Sequence, residues 1–208
     1  MLIKINRNPY AEKPLYTKAS IELNPGLTVL VGCNGSGKTT LLKMLEKTLV
    51  DDGKIVVKYD NRFDGGSNAR AEAAARQDYE TLSAAWSASE GEEININLGT
   101  FASRVGRAVR DATTLKENRE AFVLLDAIDS GLSVDNIVEF KEFLTQCVFP
   151  DAAEHNVTVY VVASANEYEL CRGEQCLDVK HCKYITFDNY EEYRRFILDS
   201  RALKDKRR

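Results

Sequence analysis

Short apolar runs bounded by turn-forming residues predict the strands of this chain. TVLV (28–31), FVLLD (122–126) and VTVYVVA (157–163) have the length and composition of strands that are buried on both faces. The alternating segments LIKIN and SIEL predict two strands near the start of the chain, and Asn24-Pro25-Gly26 marks the turn that leads from SIEL into TVLV. KIVVKY predicts another strand, and CLDV with KYITF predict a hairpin near the end.

Amphipathic stretches between these strands predict helices. Leu41, Leu45 and Leu49 recur every four residues, which is typical of one buried helical face. The other predicted helices span residues 69–86, 100–112, 133–147 and a final segment that starts at Asp188. Strands that alternate with helices predict an α/β fold with a mostly parallel central sheet flanked by helices. We also expect an N-terminal antiparallel β part and a small helical lid at about residues 61–90, all within one domain, 1–208.

The ends of two predicted helices carry specific expectations. Ser133 is the candidate N-cap of residues 133–147, and one face of that helix carries Ile137, Phe140, Leu144 and Cys147. Asp188 and Glu191 have the spacing of a capping box at the start of the last helix. We expect the basic end, residues 201–208, to be a solvated, fraying tail.

Composition and charge limit the class of protein. The chain has 208 residues, of which 44% are hydrophobic and 29% charged, as in a globular domain with a sizeable core. Its net charge of -4 does not support nucleic acid as a partner, although it leaves that partner possible. No apolar run is long enough to cross a bilayer, and MLIKINRNPY lacks the continuous apolar core of a signal peptide. We therefore expect a cytoplasmic protein.

The five cysteines are an odd number, which argues against a disulfide framework in a cytosolic protein. Three of them lie in CRGEQCLDVKHC, which carries the possible metal ligands Cys171, Cys176, His181 and Cys182. Thiolate and imidazole are ligands that zinc accepts, but this spacing is not that of a standard zinc finger. Ordinary buried or surface thiols are the favoured interpretation.

Residues 32–39, GCNGSGKT, fit the phosphate-binding pattern G-x-x-x-x-G-K-[ST] at each fixed position. Glycines let the backbone N–H groups face phosphate oxygens, and the following helix adds its N-terminal dipole. Lys38 should reach the β- and γ-phosphates, and the Thr39 hydroxyl should hold Mg²⁺. We therefore predict a site for ATP and Mg²⁺ whose loop residues are Gly32, Asn34, Gly35, Ser36, Gly37, Lys38, Thr39 and Thr40.

This loop contains the sequence Asn-Gly-Ser-Gly-Lys. Together with the strand FVLLD it resembles the corresponding segments of the ABC ATPase superfamily. The short segment between Lys38 and Ser89 implies a compact SMC-like or transporter-like nucleotide-binding head without a coiled-coil arm. The resemblance implies a P-loop NTPase fold of ABC type, in which Asp126 ends the Walker B strand and binds Mg²⁺ with Thr39. In that family an aromatic residue upstream of the loop often stacks on adenine, which implies this role for Tyr16.

Ser89-Glu90-Gly91-Glu92 resembles the Ser-x-Gly-Glu signature of the SMC-like branch of the same superfamily. It precedes a predicted helix and lies upstream of FVLLD, as the family requires. The resemblance implies that Ser89, Gly91 and Glu92 contact the γ-phosphate of an ATP molecule held by a second subunit. The ATP-bound form is then expected to be a homodimer with two ATP molecules between its subunits.

Two catalytic positions of the superfamily are replaced in this sequence. The Glu that follows Walker B, the general base for water, is Ala127, and the His after the next strand aligns with Ala165. An engineered change at Ala127 would explain only one of these replacements. Asp129 is the nearest alternative carboxylate in sequence, although an ordinary turn Asp is the favoured interpretation. The candidate catalytic residues are therefore Lys38, Asp126 and Asp129.

Several functions fit these residues. The leading prediction is an ATP-binding protein that dimerises on ATP and hydrolyses it with Mg²⁺, slowly or with a partner protein. The second is a non-hydrolysing ATP sensor that reports ATP by dimerising. A DNA-repair or phage-defence component is a third. A transporter ATPase subunit is a fourth, against which the short lid and the missing Q-loop glutamine argue.

Overall fold

A computed structural model describes residues 1–9, 14–60, 77–78, 90–115, 118–129 and 133–206, with the backbone alone at 60 and 90–100. The predicted lid at 61–90 and the predicted helix at 69–86 lie almost wholly outside these residues. Nothing in the described structure therefore tests those two predictions.

Two sheets account for the described strands. The strands are β1 (Leu2–Lys4), β2 (Ser20–Glu22), β3 (Gly26–Val31), β4 (Ile55–Asp60), β5 (Glu120–Asp126), β6 (Thr158–Ser164), β7 (Gln175–Asp178) and β8 (Lys183–Ile185). β1 and β2 form an antiparallel pair, and the other six form one sheet in the order β4-β5-β6-β3-β7-β8. All neighbours in the larger sheet are parallel except β7 and β8, which form the predicted hairpin.

The described helices lie in the connections between these strands and after the last one. They are α1 (Lys38–Asp51), α2 (Glu90–Thr113), α3 (Val134–Phe143), α4 (Phe149–Glu154), α5 (Tyr168–Cys171) and α6 (Tyr190–Asp205), with a π-helical turn (Leu144–Val148) between α3 and α4. The result confirms the predicted α/β fold class, which is consistent with a P-loop NTPase fold. None of these helices is both long and apolar enough to span a membrane.

The central sheet separates two hydrophobic layers. Alternate residues of β5 enter opposite layers, because successive side chains of a strand point to opposite faces. Val123 packs in the layer that includes α2 and α3, and Leu124 packs in the layer that includes α1. This burial on both faces explains why the sequence of β5 is a continuous apolar run. It also fixes the end of β5, and with it Asp126, at the carboxyl edge of the sheet.

The π-helical turn corrects the predicted face of residues 133–147. Ile137, Phe140 and Leu144 are buried as predicted, but Cys147 is exposed and Val148 is buried in its place. A π-turn contains one more residue than an α-turn, so the inward position moves by one along the chain. Ser133 is the N-cap residue, but its hydroxyl bonds the side chains of Asp135 and Asn136 rather than a backbone N–H.

The capping box of the last helix lies one residue later than predicted. Asn189, not Asp188, is the N-cap, and its side chain accepts a hydrogen bond of 3.1 Å from the Glu192 N–H. The Glu192 carboxylate in turn accepts a 3.1 Å bond from the Asp188 N–H. The basic end also differs from the prediction, because α6 continues to Asp205 and is not a frayed tail from residue 201 onward.

Candidate functional site

The loop between β3 and α1 forms the centre of the candidate site. β3 ends at Val31 and α1 begins at Lys38, so residues 32–37 form the turn that connects a buried strand to a helix N-terminus. Gly37 is the N-cap of α1 in the left-handed region, with φ 103°. A Cβ at this glycine would lie 2.8 Å from Leu15 Cδ2, so both the backbone angle and the packing require glycine here.

Lys38 is buried under this loop. Its Nζ donates a hydrogen bond of 2.7 Å to the Gly32 carbonyl, which folds the side chain back along the loop. Burial lowers the pKa of Lys38 from its ordinary value, and the carboxylates of Asp129 and Asp126 oppose that effect. An ammonium group in this position is ready to exchange a carbonyl partner for phosphate oxygens.

Asp126 joins the loop to the neighbouring strands. Its Oδ1 accepts a bond of 3.1 Å from the Thr39 hydroxyl and one of 2.8 Å from the Ser164 hydroxyl. The three side chains come from α1, β5 and β6, whose ends meet at one edge of the sheet. Sequence reasoning did not select Ser164, which is 2% exposed and is the last residue of β6.

A cleft of about 700 Å³ opens over these groups. The described residues that line it are Leu15, Cys33, Asn34, Gly35, Ser36, Gly37, Lys38, Thr39, Thr40, Asp126, Ala127, Ser164 and Asn166. Every predicted P-loop residue except Gly32 is among them, together with Asp126. Among these lining residues, Asp126 supplies the only carboxylate. The structure therefore brings the predicted phosphate and metal residues into one cavity.

Ala127 occupies an unusual backbone conformation at the rim of the cleft. Its φ of 53° is in the left-handed region, which a residue with a Cβ adopts at a cost. Its N–H donates a 2.8 Å bond to the Ser164 Oγ, whose own hydroxyl bonds Asp126. Ser164 thus holds both the Asp126 carboxylate and the peptide that follows it.

The residue that faces the cleft after β6 is not the one that the sequence alignment selects. Ala165 is 1% exposed and packs in the core, and its N–H bonds the Leu30 carbonyl at 3.2 Å. Asn166 is exposed and lines the cleft. Of these two residues, the structure therefore places Asn166 and not the predicted Ala165 at the cleft, because the Ala165 N–H still pairs with β3.

Asp129 lies where a structural role is favoured over the predicted catalytic one. It is 3% exposed and is not among the residues that line the cleft. Its Oδ2 accepts hydrogen bonds from the N–H groups of Asn166 and Glu167, the latter at 2.7 Å. Desolvation raises the pKa of Asp129, although these amide donors and Lys38 oppose the shift. The carboxylate thereby ties the loop after β5 to the loop after β6.

Tyr16 contradicts the expectation that it stacks on adenine. Its side chain is fully buried in the layer that contains α1, so no ring face is open to a base. Its hydroxyl donates a hydrogen bond of 2.9 Å to the Gly37 carbonyl. Tyr16 therefore supports the P-loop from below, and the half-buried Leu15 is the neighbour that lines the cleft.

The predicted signature segment is described only in part. Ser89 lies outside the described residues, and α2 begins at Glu90, so Gly91 and Glu92 are in its first turn. The signature was expected to precede a helix at 100–112, but α2 starts ten residues earlier and includes Glu90, Gly91 and Glu92. The contacts of Ser89, Gly91 and Glu92 stay a prediction.

The cysteine-rich segment does not gather around one point. Cys171, Cys176 and Cys182 are buried, and Cys182 with His181 lies in the turn between β7 and β8. His181 Nδ1 pairs with Asp178 Oδ2 at 2.6 Å. Within the described part of the chain, no group of three or more His, Cys, Asp or Glu side chains could hold a metal ion.

The C-terminal helix contacts the P-loop, which sequence reasoning missed. The Cys33 N–H bonds Ser200 Oγ at 3.2 Å, and Lys204 Nζ donates a 2.7 Å bond to the Asn34 carbonyl. A usable signal was present, since Tyr193, Phe196, Ile197, Ser200 and Lys204 recur at helical spacing on one face.

Comparison with known proteins agrees with this site. Residues 14–73 match a protein-family model described as an AAA domain. The matched segment contains the P-loop and α1, and it covers less than half of the chain. No curated protein matches the sequence. The fold and this match support an ATP-binding P-loop domain of the AAA type.

Proposed function

We propose that this chain binds ATP with Mg²⁺ and dimerises around it, and that it hydrolyses ATP slowly or with the help of a partner. The observation that carries the proposal is the hydrogen bond between the Thr39 hydroxyl and Asp126, which brings the two predicted Mg²⁺ ligands together in the cleft beside the P-loop. We treat residues 1–208 as one nucleotide-binding domain of ABC type, with Ser89, Gly91 and Glu92 as its signature.

The phosphate chain is assigned to the P-loop and the start of α1. The loop supplies backbone N–H groups, and the first turn of α1 supplies the positive end of a helix dipole. Lys38 leaves the Gly32 carbonyl and donates to the β- and γ-phosphate oxygens. Its partial desolvation strengthens this attraction, because charges interact more strongly away from bulk water.

The residues around Thr39 fit Mg²⁺. Hydroxyl and carboxylate oxygens are the ligands that this ion prefers, and those of Thr39 and Asp126 are already 3.1 Å apart. When bound, the ion neutralises charge on the phosphates during their transfer. Ser164 holds the Asp126 carboxylate in place through its 2.8 Å hydrogen bond.

Slow hydrolysis follows from the groups that face the cleft. Among its described lining residues, Ala127 offers no side-chain base, and Asp126 is engaged with Thr39 and Ser164. Asn166 and Ser164 can orient a water molecule but do not take its proton at neutral pH. The loss of a general base typically costs about 10²–10⁴-fold in rate.

The same observation favours a second candidate function, a non-hydrolysing ATP switch that signals by dimerising. Steady-state phosphate release with Mg²⁺ and ATP separates the two, with Lys38→Ala as the blank. Turnover above the blank supports the slow ATPase. ATP binding without turnover above the blank supports the switch.

Dimerisation needs its own test because the signature segment is described only in part. Light scattering after size exclusion, with and without Mg²⁺ and ATP, measures the mass of the particle. We expect a dimer with ATP and a monomer without it, and we expect Ser89→Arg to stay monomeric in both. A wild-type chain that stays monomeric with bound ATP contradicts the dimer.

A further inference from the structure

The C-terminal helix, α6, packs against residues that line the cleft, and the face that it uses changes from apolar to polar along its length. Tyr193, Phe196 and Ile197 on its first turns pack against the hydrophobic layer that includes α2 and α3. One and two turns later the same face carries Ser200 and Lys204, which are half-buried. The face becomes polar where it meets the P-loop. Ser200 and Lys204 therefore lie against the polar backbone of the loop and do not break the packing of the apolar residues.

Two hydrogen bonds and one close approach join α6 to the P-loop. Ser200 Oγ accepts from the Cys33 N–H at 3.2 Å, and Lys204 Nζ donates to the Asn34 carbonyl at 2.7 Å. A Cβ at Gly35 would lie 2.7 Å from the same Nζ, so the glycine leaves the room that the ammonium group fills. Lys204 and Asn34 are 170 residues apart in sequence, so this contact joins the last described helix to a loop near the start of the chain.

The same helix also contacts the loop after β6, which lines the cleft as well. Tyr193 Oη donates a 2.7 Å bond to the carbonyl of Asn166, the residue that faces the cleft after β6. Tyr193 and Lys204 are eleven positions apart, which corresponds to about 16 Å along an α-helix. α6 therefore acts as a brace between two parts of the cleft lining, the Asn34 peptide after β3 and the Asn166 peptide after β6.

The chemistry of a phosphate loop gives Lys204 a specific task. A loop that turns N–H groups toward an anion must turn carbonyl groups away from it. Three carbonyls of this loop have side-chain donors here: Gly32 has Lys38, Gly37 has Tyr16, and Asn34 has Lys204. Lys38 is expected to leave for phosphate, so Tyr16 and Lys204 are the donors that remain.

We propose that Lys204 is a positioning residue of the nucleotide site. Anchored by the brace that α6 forms, Lys204 keeps the Asn34 carbonyl turned away from the bound phosphates. The inference rests on the proposed binding of ATP at the P-loop. Because coupling between two sites is reciprocal, bound ATP must in turn hold α6 more firmly in place. A helix that only completes the core would affect stability without this link to ATP.

The test compares Lys204→Met with Lys206→Met by calorimetric titration with ATP and Mg²⁺. Methionine keeps most of the side-chain length and removes the charge and the donor. Lys206 is an exposed lysine that caps the same end of α6. We expect Lys204→Met to weaken ATP binding by about 5- to 30-fold, which is the lower part of the roughly 5- to 150-fold range of typical coupling between sites. Lys206→Met should match the wild type, and Lys204→Arg should restore most of the affinity.

Other variants separate the possible failures. Lys38→Ala tests the ATP site itself. If the wild type binds ATP, Lys38→Ala does not, and Lys204→Met binds with unchanged affinity, then only the role of Lys204 is overturned. Equal loss of affinity in both Met variants would also overturn it, because charge alone would then explain the effect. If Lys204→Met does not fold, Tyr193→Phe carries the test. It removes the hydroxyl that holds the Asn166 carbonyl and should weaken ATP binding while keeping the ring packed.

Hydrogen exchange supplies a readout that a merely structural helix would not move. We expect saturating ATP to slow exchange of the α6 amides in the wild type and in Lys206→Met, and to slow it less in Lys204→Met at equal occupancy. Equal slowing in all three proteins would contradict the link between ATP and α6.

Discussion

The Thr39 hydroxyl donates a hydrogen bond of 3.1 Å to Asp126 Oδ1, joining the first turn of α1 to the end of β5. The Ser164 hydroxyl binds the same oxygen at 2.8 Å. Two hydroxyl groups therefore hold one carboxylate at the floor of the cleft. This arrangement keeps a negatively charged oxygen beside the P-loop, where a cation brought in by ATP can bind it.

Asp126→Asn should remove the Mg²⁺ dependence of ATP binding. An amide oxygen can still accept both hydroxyl bonds, but it lacks the charge that attracts the cation. The measurement is ATP affinity with Mg²⁺ and with EDTA. We expect the wild type to bind more tightly with Mg²⁺, and Asp126→Asn to bind equally in both. An undiminished Mg²⁺ effect in the variant would show that the cation is held elsewhere.

Ala127→Glu should increase phosphate release by about 10²-fold, the lower part of the range for general-base catalysis. Position 127 lines the cleft directly after Asp126, so a carboxylate there can reach water near the phosphates. Ala127→Gln is the matched control, since it has the same size and no base. Equal rates for the Glu and Gln variants would mean that a missing base does not limit hydrolysis.

Asp129→Asn should leave any phosphate release unchanged, whereas Asp129→Ala should cost about 1–3 kcal/mol of stability. The Asn variant keeps an oxygen for the N–H groups of Asn166 and Glu167, and the Ala variant leaves those donors without their acceptor. Phosphate release and urea unfolding measure the two effects. Loss of turnover in a stable Asp129→Asn protein would restore Asp129 as the catalytic base.

The pH dependence of stability offers a separate test of Asp129. Its pKa is raised in the folded state, so folding favours the protonated form. The cost of ionisation therefore grows as pH rises from the ordinary carboxyl pKa through the raised one. Relative to Asp129→Asn, the wild type should lose stability across that window, as measured by urea unfolding from acidic to neutral pH. A wild type that gains stability relative to the variant would contradict the buried, desolvated carboxyl.

Tyr16→Phe should weaken binding of ATP and of inorganic triphosphate by the same factor, since its hydroxyl supports the Gly37 carbonyl. A neutral hydrogen bond of this kind contributes about 1 kcal/mol. Competition with a fluorescent ATP analogue measures both ligands. A stacking residue would behave differently, because Phe would preserve its contact with adenine and triphosphate binding would not change.

The strands and the P-loop were predictable because local patterns encode them. TVLV and FVLLD are continuous apolar runs, and burial on both faces of a sheet is what makes such runs stable. The spacing from Gly32 to Thr39 is fixed by the geometry of a phosphate-binding turn, so the sequence alone places Lys38 and Thr39. The structure adds the distance between Thr39 and Asp126, 87 residues away, which no local pattern contains.

The missed features depend on tertiary contacts. Whether Ala165 or Asn166 faces the cleft depends on where β6 leaves the sheet, and one position changes the answer. The burial of Tyr16 and of Asp129 likewise comes from elements distant in sequence. Lys204 was assigned to a solvated tail because its charged neighbours suggested one, and only the fold brings it to Asn34.

Titration of the purified protein with ATP and Mg²⁺ tests the central claim most directly, with Lys38→Ala and Lys43→Ala measured beside the wild type. Lys43 is an exposed lysine on the same helix, so it controls for the loss of a positive charge. We predict saturable binding by the wild type and by Lys43→Ala. Binding by Lys38→Ala should be weaker by more than about tenfold, which corresponds to a loss of more than about 1.4 kcal/mol. Equal affinity of all three proteins for ATP would contradict the assignment of the cleft as a nucleotide site.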